Sequence, residues 1–260
     1  MKIAKVCKEW DLNFNIELKS EEDTSLHSRS YIHYAAQHTE LVACKSWATK
    51  WLLEDIVDST KEYNVREYMA GIGVQTCIIQ NLFKVKKHIV SELDEGCVEH
   101  LSNTNFDPKP EVRLENAQES LMEDDSSNLK FLDLPNSSIL QIEKKWKDGF
   151  YKLFDSNPEL VVWTDTSVTY PMSLHGEKYS KLLSSPSINN KEEYVDSYSK
   201  WLYNKFGYSL GRAAFRARNA VYFAAIPGDH KTESKSFPVK ETEDGFYFIG
   251  EERKTLDSFF

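Results

Sequence analysis

Short apolar runs alternate with amphipathic stretches along most of the chain after residue 60. The runs have the length and composition of buried strands, and the stretches between them repeat their apolar residues at helical spacing. The predicted strands are 65–70, 88–93, 111–116, 129–134, 160–166, 220–226 and 245–250. The predicted helices between the first five are 75–84, 95–103, 118–123 and 137–154. This alternation predicts an α/β fold with right-handed crossovers and a doubly wound, mostly parallel sheet of seven strands.

The two ends of the chain depart from this alternation. The last two predicted strands, 220–226 and 245–250, are joined by a polar loop, so we expect a hairpin that makes the last strand antiparallel. Near the start, residues 28–58 carry apolar positions at helical spacing. We therefore divide the chain into an N-terminal helical extension, 1–60, and a core domain, 61–260.

Composition narrows the class of protein only slightly. The chain has 260 residues, 40% of them hydrophobic, and a net charge of −9, which argues against non-specific coating of nucleic acid. Its four cysteines show no metal-like spacing, so we expect reduced thiols and no metal site. No apolar run is long enough for a membrane span and no signal peptide opens the chain, so we expect a cytoplasmic protein without membrane contact.

The most informative local pattern is a glycine-rich turn between the first predicted strand and its helix. It runs Glu67-Tyr68-Met69-Ala70-Gly71-Ile72-Gly73. Glycines at such a turn let the backbone approach a ligand closely, and the helix offers free N–H groups. The Glu67 carboxylate would repel a pyrophosphate and attract a cation, which favours a ligand with ammonium and sulfonium groups. A dinucleotide site would also require a third glycine where this chain has Thr76.

The strand pattern and this turn together resemble the class I S-adenosylmethionine-dependent methyltransferases, over roughly residues 60–250. The resemblance implies that Glu67 lies near the ammonium of the cofactor and that Gly71 and Gly73 line the cofactor with backbone. Met69 takes the place of the family's first glycine, as in the Phe-Ala-Gly-x-Gly variant of several nucleic-acid methyltransferases. The N-terminal helices would then cap the substrate cleft or form a dimer contact.

Further positions at strand ends fit the same cofactor. Glu92 lies 19 residues beyond the glycine-rich turn and ends the second predicted strand, where a carboxylate can accept both ribose hydroxyl protons. Asp94 is the alternative, and a solvated acidic helix start is another reading of this cluster. Leu93 is assigned to the same cofactor site. After the third strand, Asn116 and Ala117 stand where the family has Asp-Ala facing the adenine, unless Asn116 only forms a turn.

The fourth predicted strand ends in a motif similar to the (Asn/Asp)-x-Pro-(aromatic) of methyltransferases that act on nitrogen. Here it reads Asp133-Leu134-Pro135-Asn136. A carboxylate and a backbone carbonyl beside the proline can accept protons from an amino group and free its lone pair for attack. Asp133 and Pro135 are the predicted catalytic residues, with Asp133 also at the cofactor, and a helix N-cap is the alternative for Asp133. No cysteine follows a proline, which argues against methylation of cytosine C5.

This motif is most similar to the Asn-Leu-Pro variant of the tRNA guanosine methyltransferases. The tRNA dimethylguanosine enzymes carry a Thr-Asp-Thr at strand five, which is similar to Trp163-Thr164-Asp165-Thr166. Asn136, a predicted substrate contact, replaces the aromatic residue that stacks on a flipped base, and Tyr170 is the candidate to stack instead.

A local excess of basic residues offers a surface for phosphate. Residues 200–240 hold eight Lys or Arg against two acidic residues, and aromatic residues are interleaved with them. We predict phosphate contacts from Arg212, Arg216 and Arg218. The alternative is an amphipathic helix with a solvated basic face.

The sequence thus predicts an S-adenosylmethionine-dependent methyltransferase that acts on a nitrogen of a nucleic-acid base, with RNA favoured over DNA. The alternatives are a methyltransferase for a small molecule or a protein, and a non-catalytic partner subunit of the same fold. A homo-oligomer is also open. His88 and His175 lack paired carboxylate spacing and are interpreted as structural or solvent-facing.

Overall fold

A computed structural model describes residues 48–133, 144–166, 191–216, 220–237, 239–242 and 245–248. The strands in these ranges are β1 Glu62–Tyr68, β2 Lys84–Glu92, β3 Glu111–Leu114, β4 Leu129–Leu132, β5 Leu160–Thr166, β6 Tyr208–Arg216, β7 Ala220–Pro227, β8 Glu233–Phe237, β9 Val239–Thr242 and β10 Gly245–Phe248. The helices are α1 at 48–53, α2 Val74–Leu82, α3 Glu95–Asn103, α4 Ala117–Ser120, α5 Lys144–Lys152 and α6 Lys191–Phe206. None of these described helices is long and apolar enough to cross a membrane.

Eight strands form one sheet in the order β3-β2-β1-β4-β5-β7-β6-β8. The first five in this order are parallel neighbours, and β7 runs antiparallel to both β5 and β6. The predicted α/β class, with a mostly parallel sheet and one reversed strand, is therefore confirmed. Strand β8 extends the sheet by one parallel strand beside β6. The predicted domain boundary at residue 60 stays a prediction, since residues 1–47 lie outside the described residues.

The C-terminal strands differ from their prediction. Strand β7 was expected to pair with a strand at 245–250, but it pairs with β6, which the sequence analysis missed. Strand β10 instead pairs with β9 in a separate two-stranded sheet. Two features hid β6: the pairing with β7 shifts between Leu210 and Arg212, and the sheet is covered on both faces there. Its buried residues Leu210, Ala213 and Ala214 therefore do not alternate with polar ones.

Apolar side chains cover both faces of the large sheet. On one face Val65 and Phe131 belong to a core that includes residues of α1, α2 and α3. On the other, Tyr68 and Trp163 belong to a core that includes residues of α4, α5 and α6 or their ends. The Trp163 ring centroid lies 5.2 Å from that of Phe150, in an edge-to-face contact. This three-layer packing leaves the ends of the parallel strands as the place for a site.

Arg212 joins α1 to the sheet. Its Nη1 donates to the carbonyl oxygen of Trp51 at 2.7 Å and to that of Glu54. Its guanidinium carbon lies 5.3 Å from the centre of the Trp51 ring, and its Nε lies 3.3 Å from Glu233. The last carbonyls of a helix have no partner within the helix, so a cation there satisfies them and interacts favourably with the helix dipole. The contacts give Arg212 a structural role, while its predicted phosphate contact stays untested.

Replacement of Arg212 by Gln should lower the free energy of unfolding by about 2 kcal/mol, because two carbonyl oxygens lose a charged donor. Urea denaturation of the full chain measures this change. Lys231→Gln, which removes a charge from an exposed position, is the control and should leave stability nearly unchanged. If Arg212→Gln keeps full stability but weakens salt-dependent RNA binding, the phosphate role predicted from the sequence is the correct one.

Candidate active site

The candidate site lies at the carboxyl ends of β1, β2, β4 and β5. From β1 the chain continues to β2 and β3 on one side of β1, and then returns to β4 and β5 on its other side. The strand order therefore reverses between β1 and β4. In open parallel sheets, ligands bind in the crevice at such a reversal. The glycine-rich turn after β1 and Asp133 after β4 both lie there.

Three residues of the glycine-rich turn have left-handed backbone conformations. The φ angles are 61° at Met69, 59° at Gly71 and 84° at Gly73. For an L-residue such as methionine this conformation costs about 1–2 kcal/mol. Met69 therefore has the backbone conformation that a glycine, implied there by the family resemblance, would adopt without strain. A turn this contorted is held by its surroundings rather than by local preference.

Gly73 is required by packing as well as by its φ angle. A Cβ atom there would lie 2.7 Å from Cδ2 of Leu101 and 2.9 Å from Cζ of Phe106. Both neighbours are buried in the core beneath the turn. Gly73 is also the N-cap of α2.

Glu67 is fully buried near the end of β1. Its Oε2 accepts a hydrogen bond from Thr76 Oγ1 at 2.8 Å and lies 3.2 Å from His88 Nε2. Its Oε1 has no hydrogen-bond partner among the described residues. A buried carboxylate oxygen without a partner is costly, and a cationic or hydrogen-bonding ligand would relieve that cost.

Glu92 connects the end of β2 to the glycine-rich turn. Its Oε2 accepts the N–H of Gly71 at 2.8 Å, and its Oε1 accepts the N–H of Leu93 at 2.7 Å. The neighbouring Asp94 accepts the N–H of Cys97 and caps α3, so Glu92 is the carboxylate that faces the turn. Leu93, the residue after Glu92, is 64% exposed.

The end of β3 carries a carboxylate that sequence analysis missed. Glu115 Oε2 accepts from Arg66 Nη2 at 2.8 Å and from Ser91 Oγ at 2.7 Å. Burial alone would raise the pKa of Glu115, but the hydrogen bond from Ser91 and the charge of Arg66 bring it below its usual value. The next residue, Asn116, accepts the N–H of Gln118 at 3.0 Å and caps α4, which begins at Ala117. The predicted adenine contact of Asn116 and Ala117 stays a prediction.

Asp133 follows β4 directly and lies beside the glycine-rich turn. Its backbone N–H donates to the carbonyl oxygen of Tyr68, the last residue of β1, at 3.3 Å. Its Oδ1 accepts a hydrogen bond from Thr164 Oγ1 at 2.8 Å. Thr164 is buried in β5, while Asp133 is partly exposed. The residue that follows β4 and a residue of β5 are therefore in direct contact.

Several predicted site residues cannot be located in the same way. Pro135, Asn136, Tyr170 and Arg218 lie outside the described residues. The backbone of Arg216 ends β6 opposite Ala220, which in turn pairs with Thr166 at the end of β5, so Arg216 lies at the same edge of the sheet as the site. In the described part of the chain, no group of three or more His, Cys, Asp or Glu could hold a metal ion.

The residues that hold the predicted carboxylates were not identified from the sequence. Thr76 was considered only as a position without a third glycine, and Thr164 only as part of a motif. His88 is buried against Glu67 and does not face solvent. No signal along the chain gives these contacts, since each joins two elements whose register is known only after folding.

No protein-family model and no curated protein matches the sequence. Solved structures resemble it in fold. The proposed RNA methyltransferase PH1948 of Pyrococcus horikoshii matches with a TM-score of 0.46 at 13% identity, over 88% of this chain and 98% of its own. The proposed tRNA (m1A22) methyltransferase Sp1610 of Streptococcus pneumoniae was solved with S-adenosyl-L-methionine. It matches with a TM-score of 0.44 at 14% identity, over 73% of this chain and 74% of its own. Magnesium protoporphyrin IX methyltransferase of Synechocystis PCC 6803, solved with bound S-adenosylmethionine, matches with a TM-score of 0.43 at 12% identity, over 78% of this chain and 85% of its own. At these identities the similarity concerns the fold alone.

The packing of Gly73 can be tested against a glycine with the same backbone conformation. Gly73→Ala should lower the free energy of unfolding by about 3 kcal/mol, from left-handed strain and from overpacking. Gly207 has a φ angle of 75° and open space where a Cβ would lie, so Gly207→Ala should lose only about 1 kcal/mol. Urea denaturation of both variants measures the difference. Equal losses would mean that the contacts with Leu101 and Phe106 relax freely.

Proposed function

We propose that this protein is an S-adenosylmethionine-dependent methyltransferase that modifies a nitrogen of a nucleic-acid base, with RNA favoured over DNA. The observation that carries the proposal is the meeting of three carboxylates, Glu67, Glu92 and Asp133, around one contorted turn. They come from the ends of three neighbouring parallel strands. In this proposal, each carboxylate serves a different part of the cofactor or its acceptor.

The turn is suited to a cationic ligand rather than to a pyrophosphate. The N–H of Gly71 donates to Glu92, and the N–H of Gly73 donates to the carbonyl oxygen of Ala70 at 3.1 Å. Both glycine amides are therefore occupied, whereas a phosphate cradle needs such amides free. Glu67 adds a buried carboxylate oxygen without a partner. These features favour an ammonium over a phosphate at this turn.

The remaining parts of the cofactor fit the residues that flank the turn. Oε1 of Glu92 accepts the N–H groups of both Leu93 and Asp94, whereas Oε2 accepts only that of Gly71, so Oε2 is the oxygen that would accept from a ribose hydroxyl. The exposed Leu93 would contact the adenine ring beside Asn116 and Ala117. Filling the site in this way would cover the exposed apolar surface of Leu93, which is a further reason to favour a ligand with a flat aromatic ring.

When bound, S-adenosylmethionine supplies a methyl group that its sulfonium already activates for displacement. Asp133 would accept a proton or a hydrogen bond from the acceptor nitrogen and so keep its lone pair available. Thr164 fixes one oxygen of Asp133, which limits the rotation of the carboxylate. Holding the acceptor and the methyl group in line supplies most of the acceleration in such a reaction.

The nucleic-acid substrate is supported by the two motifs that resemble tRNA guanosine enzymes, because Thr164 of one contacts Asp133 of the other. The backbone of Arg216 ends β6 at the same edge of the sheet, and in this proposal Arg216 contacts phosphate. The net charge of −9 means that binding has to depend on such local basic residues rather than on the overall field.

The proposal is tested first by calorimetry with S-adenosylmethionine and with S-adenosylhomocysteine, and then by transfer of a labelled methyl group to total RNA, DNA and protein. We expect saturable binding of both compounds and label in RNA. Asp133→Ala should reduce transfer at least about 100-fold, because the proton acceptor is lost. Asp155→Ala removes an exposed carboxylate that follows α5, at the opposite edge of the sheet, and should retain full activity.

Each result bears on a different part of the proposal. Absence of binding for both compounds would exclude the cofactor and the enzyme class. Binding without transfer to any of the three pools would favour a non-catalytic partner subunit or a small-molecule substrate. Label in protein alone would exclude the nucleic-acid substrate, and equal activity of Asp133→Ala and Asp155→Ala would exclude Asp133 as a catalytic residue.

A further inference from the structure

The two carboxylate oxygens of Glu67 have different surroundings. All of its polar contacts among the described residues reach Oε2, from Thr76 and His88. Oε1 has none, although the whole side chain is buried. A freely rotating carboxylate would not distinguish its oxygens, so the residues around Oε2 fix the orientation of the group. The following steps rest on the proposed function, because they take the ligand near Oε1 to be the cofactor.

Thr76 provides the stronger of the two contacts. Its Oγ1 lies 2.8 Å from Oε2, and both side chains are fully buried. A carboxylate can only accept, so the hydroxyl hydrogen of Thr76 points at Glu67. Thr76 lies in the first turn of α2, and the hydrogen bond therefore ties the carboxylate to the helix that follows the glycine-rich turn. Bonds of a neutral donor to a charged acceptor are among the stronger ones in proteins.

His88 faces the same oxygen, and Gln80 sets the state of its ring. Gln80 Nε2 lies 2.8 Å from the carbonyl oxygen of Pro108, which only accepts, so this amide nitrogen is the donor. The same nitrogen lies 3.3 Å from His88 Nδ1, which must then be the acceptor. The ring proton consequently lies on Nε2, 3.2 Å from Oε2 of Glu67, where it does not complete a hydrogen bond.

This tautomer leaves the charge of Glu67 uncompensated. An imidazole with its proton on Nε2 and an acceptor at Nδ1 is neutral, so it offers the carboxylate a dipole rather than a cation. No Lys or Arg in the described part of the chain forms an ion pair with Glu67. A buried charge of this kind favours a ligand that brings the opposite charge to its open oxygen.

We propose that Thr76, His88 and Gln80 are positioning residues for the cofactor. They hold Glu67 by Oε2, so that Oε1 is presented to the ammonium group of S-adenosylmethionine. Gln80 keeps the ring proton of His88 on Nε2, so that the histidine also faces Oε2 and leaves Oε1 to the ammonium. The same ammonium is present in S-adenosylhomocysteine, so both compounds should depend on these residues to the same extent.

Calorimetry with both compounds tests the proposal on the full-length chain. Thr76→Val removes the hydroxyl with little change of shape and should weaken binding about tenfold, whereas Thr76→Ser keeps the donor and should bind like the wild type. Glu67→Gln should weaken binding at least as much. In the Glu67→Gln background, Thr76→Val should add little further loss, because the two changes remove one interaction.

A purely structural role for Thr76 would give a different result. It would lower the melting temperature and weaken binding equally with or without Glu67, and that additivity would overturn the proposal. Gln80→Leu is a second variant at a less buried position, and it should weaken binding about threefold, again only when Glu67 is present. It keeps the test decisive if Thr76→Val fails to fold, because unchanged binding by Gln80→Leu would exclude the role of the histidine tautomer.

The outcomes also separate this proposal from the proposed function. Loss of binding in Glu67→Gln with full binding in Thr76→Val and Gln80→Leu would overturn only the positioning roles. No binding by the wild type would overturn both. A nitrogen-15 spectrum of histidine-labelled protein gives an independent check, since His88 should carry its proton on Nε2, and a proton on Nδ1 would contradict the proposal.

Discussion

The burial of one carboxylate, Glu67, is the constraint on which the site depends. Removal of a charged group from water is costly unless hydrogen bonds and an opposite charge offset it. The chain supplies one hydrogen bond, from Thr76, and one dipole, from His88, and both reach the same oxygen. The remaining deficit is what a cationic ligand would satisfy. Stability and ligand selection are thus coupled at this residue, because the feature that weakens the isolated fold is the one that would favour the ammonium.

The contorted turn after β1 is held in place by contacts from several elements. Met69 adopts a left-handed conformation at a cost of about 1–2 kcal/mol, so contacts with the rest of the fold have to offset this cost. Glu92 of β2 fixes Gly71 by a hydrogen bond, and Leu101 and Phe106 leave no room beside Gly73. Backbone strain persists where the surroundings over-determine the conformation, and it concentrates at functional sites. Glu92, which is predicted to bind the ribose, therefore also stabilises the conformation of the turn.

Residues at strand ends could be predicted from the sequence, because strand and turn patterns are local. Glu67, Glu92 and Asp133 each follow from an apolar run and the turn after it, and the structure brings all three to the ends of neighbouring strands. The contacts of Thr76, His88 and Thr164 could not be predicted, because they depend on which residues of two distant elements come together. Strand β6 was missed for a related reason, since its shifted pairing near Gly211 removes the alternation on which strand prediction depends.

Glu67 and Asp133 lie close to the same turn but are suited to different tasks. Glu67 is fully buried, and its single open oxygen fits a fixed charge that does not change during a reaction. Asp133 is partly exposed and is held by Thr164, which fits a group that meets an incoming acceptor. A proton acceptor has to be reachable by the substrate, whereas a counter-charge works best where water is excluded. Under the proposed function, the difference in burial therefore assigns the fixed counter-charge to Glu67 and the contact with an acceptor approaching from the side of β4 and β5 to Asp133.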